Sequence, residues 1–111
     1  MDGLIKIITN GKGQAYLVNY EYSDVYMDIL ENLGIDVNGW DDYAFIEGLT
    51  NGGEKGAGLR VLHDTIKTGK ELGYRILIFV LSDTNQDKLR EWYLSTKLVK
   101  QTRLENVLKV I

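Results

Sequence analysis

The sequence predicts a mixed α/β (α+β) fold with a mostly antiparallel sheet, on three observations. Runs rich in β-branched and aromatic residues alternate with segments of helical period, so strands and helices interleave. Strand-like runs at both ends of the chain form adjacent pairs, read as antiparallel. Between them lies a strand, a glycine-dense loop, a helix and a further strand.

Leu4 to Thr9 is rich in β-branched residues and reads as a strand. Asn10-Gly11-Lys12-Gly13 is a turn signal, and Gln14 to Tyr22 returns as a second strand with Tyr16, Val18 and Tyr20 on one face. Ser23-Asp24 can cap a helix in which Tyr26, Ile29, Leu30 and Leu33 share a face, with Gly34 as its stop. The polar connection from Ile35 to Asp42 holds Trp40, read as a packing plug. Tyr43 to Leu49 reads as a strand with Tyr43, Phe45, Glu47 and Leu49 on one face. After the loop from Asn51 to Gly58, a helix stripe of Leu59, Leu62, Ile66 and Gly69 runs to a stop at Gly73. Arg75 to Leu81 contains the longest apolar run and reads as a buried central strand. Ser82 to Asn85 is a turn and cap for a helix lined by Leu89, Trp92, Tyr93 and Thr96. Leu98 to Gln101 and Asn106 to Ile111 close the order as a strand pair, whose exposed edge offers a route to a homodimer.

Size and composition bound the function. A chain of 111 residues suits one domain over residues 1–111. The longest apolar run falls far short of the roughly 20 residues of a membrane span. No signal peptide opens the sequence, so a cytoplasmic location is expected. There is no cysteine and one histidine, which excludes thiolate chemistry and disfavours a histidine-rich metal site. Residues 1–54 carry two basic and ten acidic side chains, whereas residues 55–111 carry eleven basic and six acidic ones. Such a division either mixes on the folded surface or lets one half meet an anion and the other a cation. The basic half has no long Lys/Arg run, so nucleic-acid binding is not expected.

A glycine loop that ends a strand and opens a helix is suited to an anion. The backbone can approach closely without a Cβ, and the first helical N–H groups face outward. Gly56-Ala57-Gly58 supplies such a loop, flanked by Lys55 and Arg60. The bland alternative is a surface loop closed by glycine. The Lys-Ser/Thr of an ATPase phosphate loop and a full Gly-x-Gly-x-x-Gly are both missing.

Residues 43–111 resemble the acyl-CoA-binding segment of the Gcn5-related N-acetyltransferases. The family's phosphate loop, Arg/Gln-x-x-Gly-x-Gly/Ala, is matched by Gly53-Glu54-Lys55-Gly56-Ala57-Gly58, with Gly53 replacing the first basic or amide residue. A long helix, Gly73-Tyr74-Arg75 and a buried strand follow at the family's spacing. The segment from Asp83 to Tyr93 is similar to the family's Asn-x-x-Ala…Tyr helix, with Asn85 at the Asn, Trp92 at the spacing of the Tyr, and Tyr93, one residue later, taken as the Tyr because a one-residue shift is easy in this helix. Leu89 to Leu98 is also similar to very small phage acetyltransferases, one of them an anti-CRISPR enzyme. Thr96-Lys97-Leu98 stands where the family has Gly-Phe after that helix.

The resemblance implies acetyl-CoA held at Lys55, Gly56, Ala57, Gly58 and Leu59, with its pantetheine arm along a splayed strand at Leu49, Thr50 and Asn51 and with Asn85 beside it. It implies acetyl transfer to a primary amine, either a protein lysine or a small amine, by direct attack without a covalent enzyme intermediate. Tyr93 is then the candidate acid for the departing thiolate, and its alternative is a half-buried core tyrosine. Glu47 is the first candidate base, since apolar neighbours on its face would raise its pKa; otherwise it is a sheet-edge carboxylate with a salt partner. Asp41 and Asp42 are runners-up, and water can relay the proton instead. His63 reads as a helix-flank residue and Trp92 as core. The acidic first half would attract a cationic acceptor. Two other functions stay open: a catalytically inactive interaction module on the same fold, for instance a viral host-targeting factor, and a regulator that binds another phosphate at the glycine loop.

Overall fold

A computed structural model describes residues 4–19, 24–35, 42–81 and 86–111. The element order is β1 (Leu4–Asn10), β2 (Gly13–Val18), α1 (Asp24–Asn32), β3 (Tyr43–Thr50), α2 (Ala57–Glu71), β4 (Ile76–Val80), α3 (Gln86–Ser95), β5 (Val99–Gln101) and β6 (Val107–Val110). That is the order read from the sequence. The second strand is shorter than expected, ending at Val18, and Tyr20 lies outside the described residues, as does Trp40.

The six strands form one mixed, mostly antiparallel sheet in the order β1-β2-β3-β4-β6-β5. Its only parallel pair among the described residues is β3 with β4, joined through α2, because a parallel return needs a long crossover. The other neighbouring strands all pair antiparallel. Alternation along the strands builds two apolar layers, one on each face. Ala15, Leu17, Ala44, Ile46, Leu77, Phe79, Leu108 and Val110 pack with Val61, Leu62 and Ile66 of α2 and Tyr93 of α3. On the opposite face, Val18, Tyr43, Phe45, Ile76, Ile78 and Val107 pack with Leu30 of α1. The sheet is therefore sandwiched, with α2 and α3 on one side and α1 on the other.

The stripe expected on α2 is out of register by part of a turn. Leu59 is 41% exposed, while Val61 and Thr65 join Leu62, Ile66 and Gly69 in burial. Thr65 tolerates this because its hydroxyl donates to the Val61 carbonyl at 2.6 Å. Arg75 grips Asp42 through two hydrogen bonds, tying the start of β4 to the start of β3. No helix among the described residues is long and apolar enough to cross a membrane.

Candidate functional site

The site begins with a defect in β3. Tyr16 faces Glu47 and Gln14 faces Thr50, so Ala15 alone on β2 stands opposite Gly48 and Leu49 on β3. This is a β-bulge, and Gly48 accommodates it at φ +62°. The Tyr16 ring lies over Gly48, where a Cβ would come within 2.8 Å of the ring. A bulge bends its strand and raises its twist. Pairing with β4 accordingly covers Tyr43 to Ile46 and stops there, and the two parallel strands part.

The bulge also corrects the expected face of Leu49. Period-two geometry would place it with Tyr43 and Phe45, but the extra residue turns it onto the α2 side, against the cluster of Ala44 and Ile46. Glu47, before the bulge and opposite Tyr16, stays on the α1 side.

Where the strands part, a cleft of about 450 Å3 opens, lined by Ile46, Glu47, Gly48 and Leu49 of β3, Phe79, Val80 and Leu81 at the end of β4, and Leu89 and Tyr93 of α3. Glu47 and Tyr93 approach it from opposite faces of the sheet. Tyr93 is buried, 6% exposed, with its ring 4.7 Å from that of Phe79. Burial pushes its phenol up to about 12, because the phenolate would lose its hydration. Among the described residues no group pairs with its hydroxyl. Trp92, expected in the core, is instead 37% exposed. Its indole packs edge-on to Tyr93 and lies 3.6 Å from the position of a Cβ on Gly58. It thus joins the cleft to the start of α2.

The glycine loop is held by its own polar groups and by the β1–β2 turn. Asn51 Oδ1 accepts from Gly53 N at 2.9 Å, which uses the side chain inside the loop. Glu54 accepts from Lys12 N at 2.8 Å and pairs with Arg60 at 3.1 Å. Arg60 Nε also donates to Asn10 Oδ1, and Asn10 Nδ2 donates to Asp64 at 2.7 Å. Arg60, expected to flank an anion, is therefore bound into this network, whereas Lys55 is exposed. A Cβ on Gly52 would fall 2.0 Å from the Lys12 carbonyl oxygen, so the loop and turn touch backbone to backbone.

Gly56 adopts the left-handed conformation before α2, no side chain caps the helix, and its first turn holds no acidic residue. Ala57 N donates to Glu54 O and Arg60 N to Gly56 O. Helix geometry leaves the amides of Gly58 and Leu59 directed beyond the first turn. Leu59 reaches solvent there, and Ala57 and Gly58 are buried beneath the loop.

Of the residues expected at the site, Glu47, Leu49 and Tyr93 meet at the cleft, and Lys55 to Leu59 meet at the start of α2. Thr50 and Asn51 connect the two regions along the chain. Asp42 sits at the far end of β3 from the cleft, held by Arg75, and does not join it. Asn85 and Asp41 lie outside the described residues. His63 is exposed on α2. Sequence reasoning missed Phe79, Val80, Leu81 and Leu89 as cleft residues. The available signal was Gly48, since a glycine inside a strand pattern marks a bulge. No known protein family, curated protein or solved structure matches the chain.

Proposed function

We propose that the chain is an N-acetyltransferase that moves an acetyl group from acetyl-CoA to a primary amine by direct attack. The observation that carries this reading is the cleft where β3 and β4 part, with Glu47 on one face of the sheet and Tyr93 on the other. A planar acyl group between them would meet an amine from one side and release sulfur on the other. Two features of the resemblance support it further. Gly58 and Leu59 offer backbone donors for a pyrophosphate, and Lys97, within the Thr96-Lys97-Leu98 that stands where the family has Gly-Phe, takes φ +63°.

Acetyl-CoA would supply an activated acyl group on a thioester. The chain's residues then have three tasks. The amides of Gly58 and Leu59 and the exposed Lys55 hold the phosphates. The part of β3 that leaves β4, around Leu49 and Thr50, offers backbone polar groups along which an amide-bearing arm can lie. Glu47, directly or through water, receives the ammonium proton that must leave before the nitrogen can attack.

The phenol's role follows from its pKa. At about 12 it stays protonated throughout the neutral range. Complete transfer to a thiolate of pKa about 8.5 would be uphill by roughly 5 kcal/mol. Tyr93 therefore serves as a hydrogen-bond donor to the developing charge on sulfur, and the amine's own proton completes the thiol. A donor to a charged group contributes about 1.5–3 kcal/mol. The reducing compartment suited to a cysteine-free chain makes the cytoplasm the expected place of action.

Calorimetry and thermal shift with acetyl-CoA test the reading. We expect saturable binding and a raised melting temperature, with free nucleotides giving neither. Tyr93→Phe should cut turnover about ten- to hundredfold while leaving acetyl-CoA affinity within twofold. Absence of acetyl-CoA binding would refute the proposal.

A further inference from the structure

The two edges of the sheet are unequal. β5 ends one side with three residues, of which Lys100 and Gln101 are exposed. β1 ends the other with seven, and among the described residues no strand pairs with its outer side. The two-residue turn Gly11-Lys12 makes Asn10 and Gly13 a hydrogen-bonded pair of the β1–β2 ladder. Alternation then directs the backbone N–H and C=O of Ile8 toward β2, and those of Ile7 and Thr9 away from it. Sheet edges are guarded by short length, charge or bulges. β1 has a bulge at Ile5, between Leu4 and Lys6, but runs regularly from Lys6 to Asn10.

The side chains beside this edge fit a second copy of the chain. On the α1 side β1 presents Leu4, Ile7 and Thr9, all uncharged, and Ile7 is 50% exposed. On the α2 side an open groove of about 340 Å3 follows the strand, bordered by Lys6, Ile8, Asp64, Lys67, Thr68 and Glu71. Its charges are two basic and two acidic, so a copy related by a two-fold axis brings both signs to it. A groove of one sign would repel its own image.

One register uses the outward backbone groups of both Ile7 and Thr9. With the axis at Ile8, Ile7 pairs with Thr9 of the second copy and Thr9 with its Ile7, and the bulge stays beyond the paired stretch. α2 starts beside the turn, with Arg60 and Asp64 at Asn10, and runs back along β1. At about 1.5 Å per helical residue and about 3.3 Å per strand residue, Lys67 comes level with the Ile8–Thr9 stretch and Glu71 with Ile7. The axis then sets Lys67 of each copy against Glu71 of the other. Lys67 lies 4.0 Å from its own Glu71, so the four charges alternate in a ring. α2 lies over β1, β2 and β3, so with each helix centred on β2 the two helices stand about 14 Å apart, three strand spacings. That exceeds the roughly 8–10 Å of direct helix packing and suits bridging by long side chains. We infer that β1 is the interface of a symmetric homodimer, in which two sheets join edge to edge. The strip buries less than the roughly 1,600 Å2 of a standard interface, so micromolar association is expected. The cleft, between β3 and β4, stays open in each copy, and the inference does not rest on the acetyltransferase reading.

Sedimentation velocity of the whole chain, from about 1 μM to about 1 mM, tests the inference. We expect monomer at the low end and dimer at the high end. Thr9→Pro removes an N–H that β2 does not use, and should raise the dissociation constant at least about tenfold with an unchanged circular dichroism spectrum. Lys67→Glu and Glu71→Lys should each weaken the dimer about five- to tenfold, because two symmetry-related attractions become repulsions. The double exchange should return affinity to within about twofold of wild type. This rescue reads the interface even where the proline variant fails to fold. A monomer at every concentration, a dimer unchanged in folded Thr9→Pro, or single reversals that the double exchange does not rescue would each overturn the inference.

Discussion

The two halves of β3 make different use of one strand. From Tyr43 to Ile46 every residue is buried, with β2 on one side and β4 on the other. From Glu47 to Thr50 no residue is fully buried, and pairing with β4 has ended. The change occurs at Gly48, a single residue inserted into the pairing with β2. The first half spends its side chains on the two cores, and the second turns its side chains and backbone toward a cleft. A site can thus be made from a regular sheet by one local departure from pairing, without a separate loop to carry it.

Three measurements would break or sharpen this contrast. The largest effect belongs to the first half. Phe45→Ala removes a fully buried ring that meets Tyr43 edge-on at 5.8 Å, and should cost about 3–5 kcal/mol in urea unfolding. A cost under 1 kcal/mol would mean that the α1-side core is not packed as described.

The second concerns the residue facing the second half. Tyr93 binds its proton more tightly when folded, with its pKa raised from 10.0 to about 12. Its contribution is complete below pH 10 and is lost as the pH rises from 10 to about 12. That loss amounts to about 3 kcal/mol. Wild type should therefore lose stability over this window more steeply than Tyr93→Phe, which removes the titration. Parallel curves would show that the phenol is more hydrated than its burial indicates.

The smallest effect is at the junction. Gly48→Ala places a Cβ at φ +62° and against the Tyr16 ring, for an expected cost of about 1–2 kcal/mol. Acetyl-CoA affinity should fall as well, because the strand relaxes toward regular pairing and narrows the cleft. Unchanged stability and affinity would separate the bulge from the site.

Much of the fold was legible in the sequence, for physical reasons. Strong periodicity marked each element, and the glycines at 11, 34 and 73, all at positive φ, marked turns or helix stops. Packing register was less legible. Leu59 fits a helical stripe as well as Val61 does, and only the angle at which α2 meets the sheet decides between them. The face of Leu49 was misread because alternation carries no record of an inserted residue. Trp92 looked like core from its size, yet it stands where α3 meets the start of α2, a contact between segments more than thirty residues apart. Glu47 and Tyr93 were readable as candidates. Their approach from opposite sides of the sheet emerged only once the strand register was known.

The seam between the glycine loop and the β1–β2 turn has a consequence of its own. Glu54 reaches the Lys12 amide, and Gly52 rests on the Lys12 carbonyl. The loop is thereby moulded by the protein itself, so a ligand bound there, as proposed, would forfeit little disorder. Remodelling the hairpin tip, which does not line the cleft, should then be felt as slack in the glycine loop and at the start of α2.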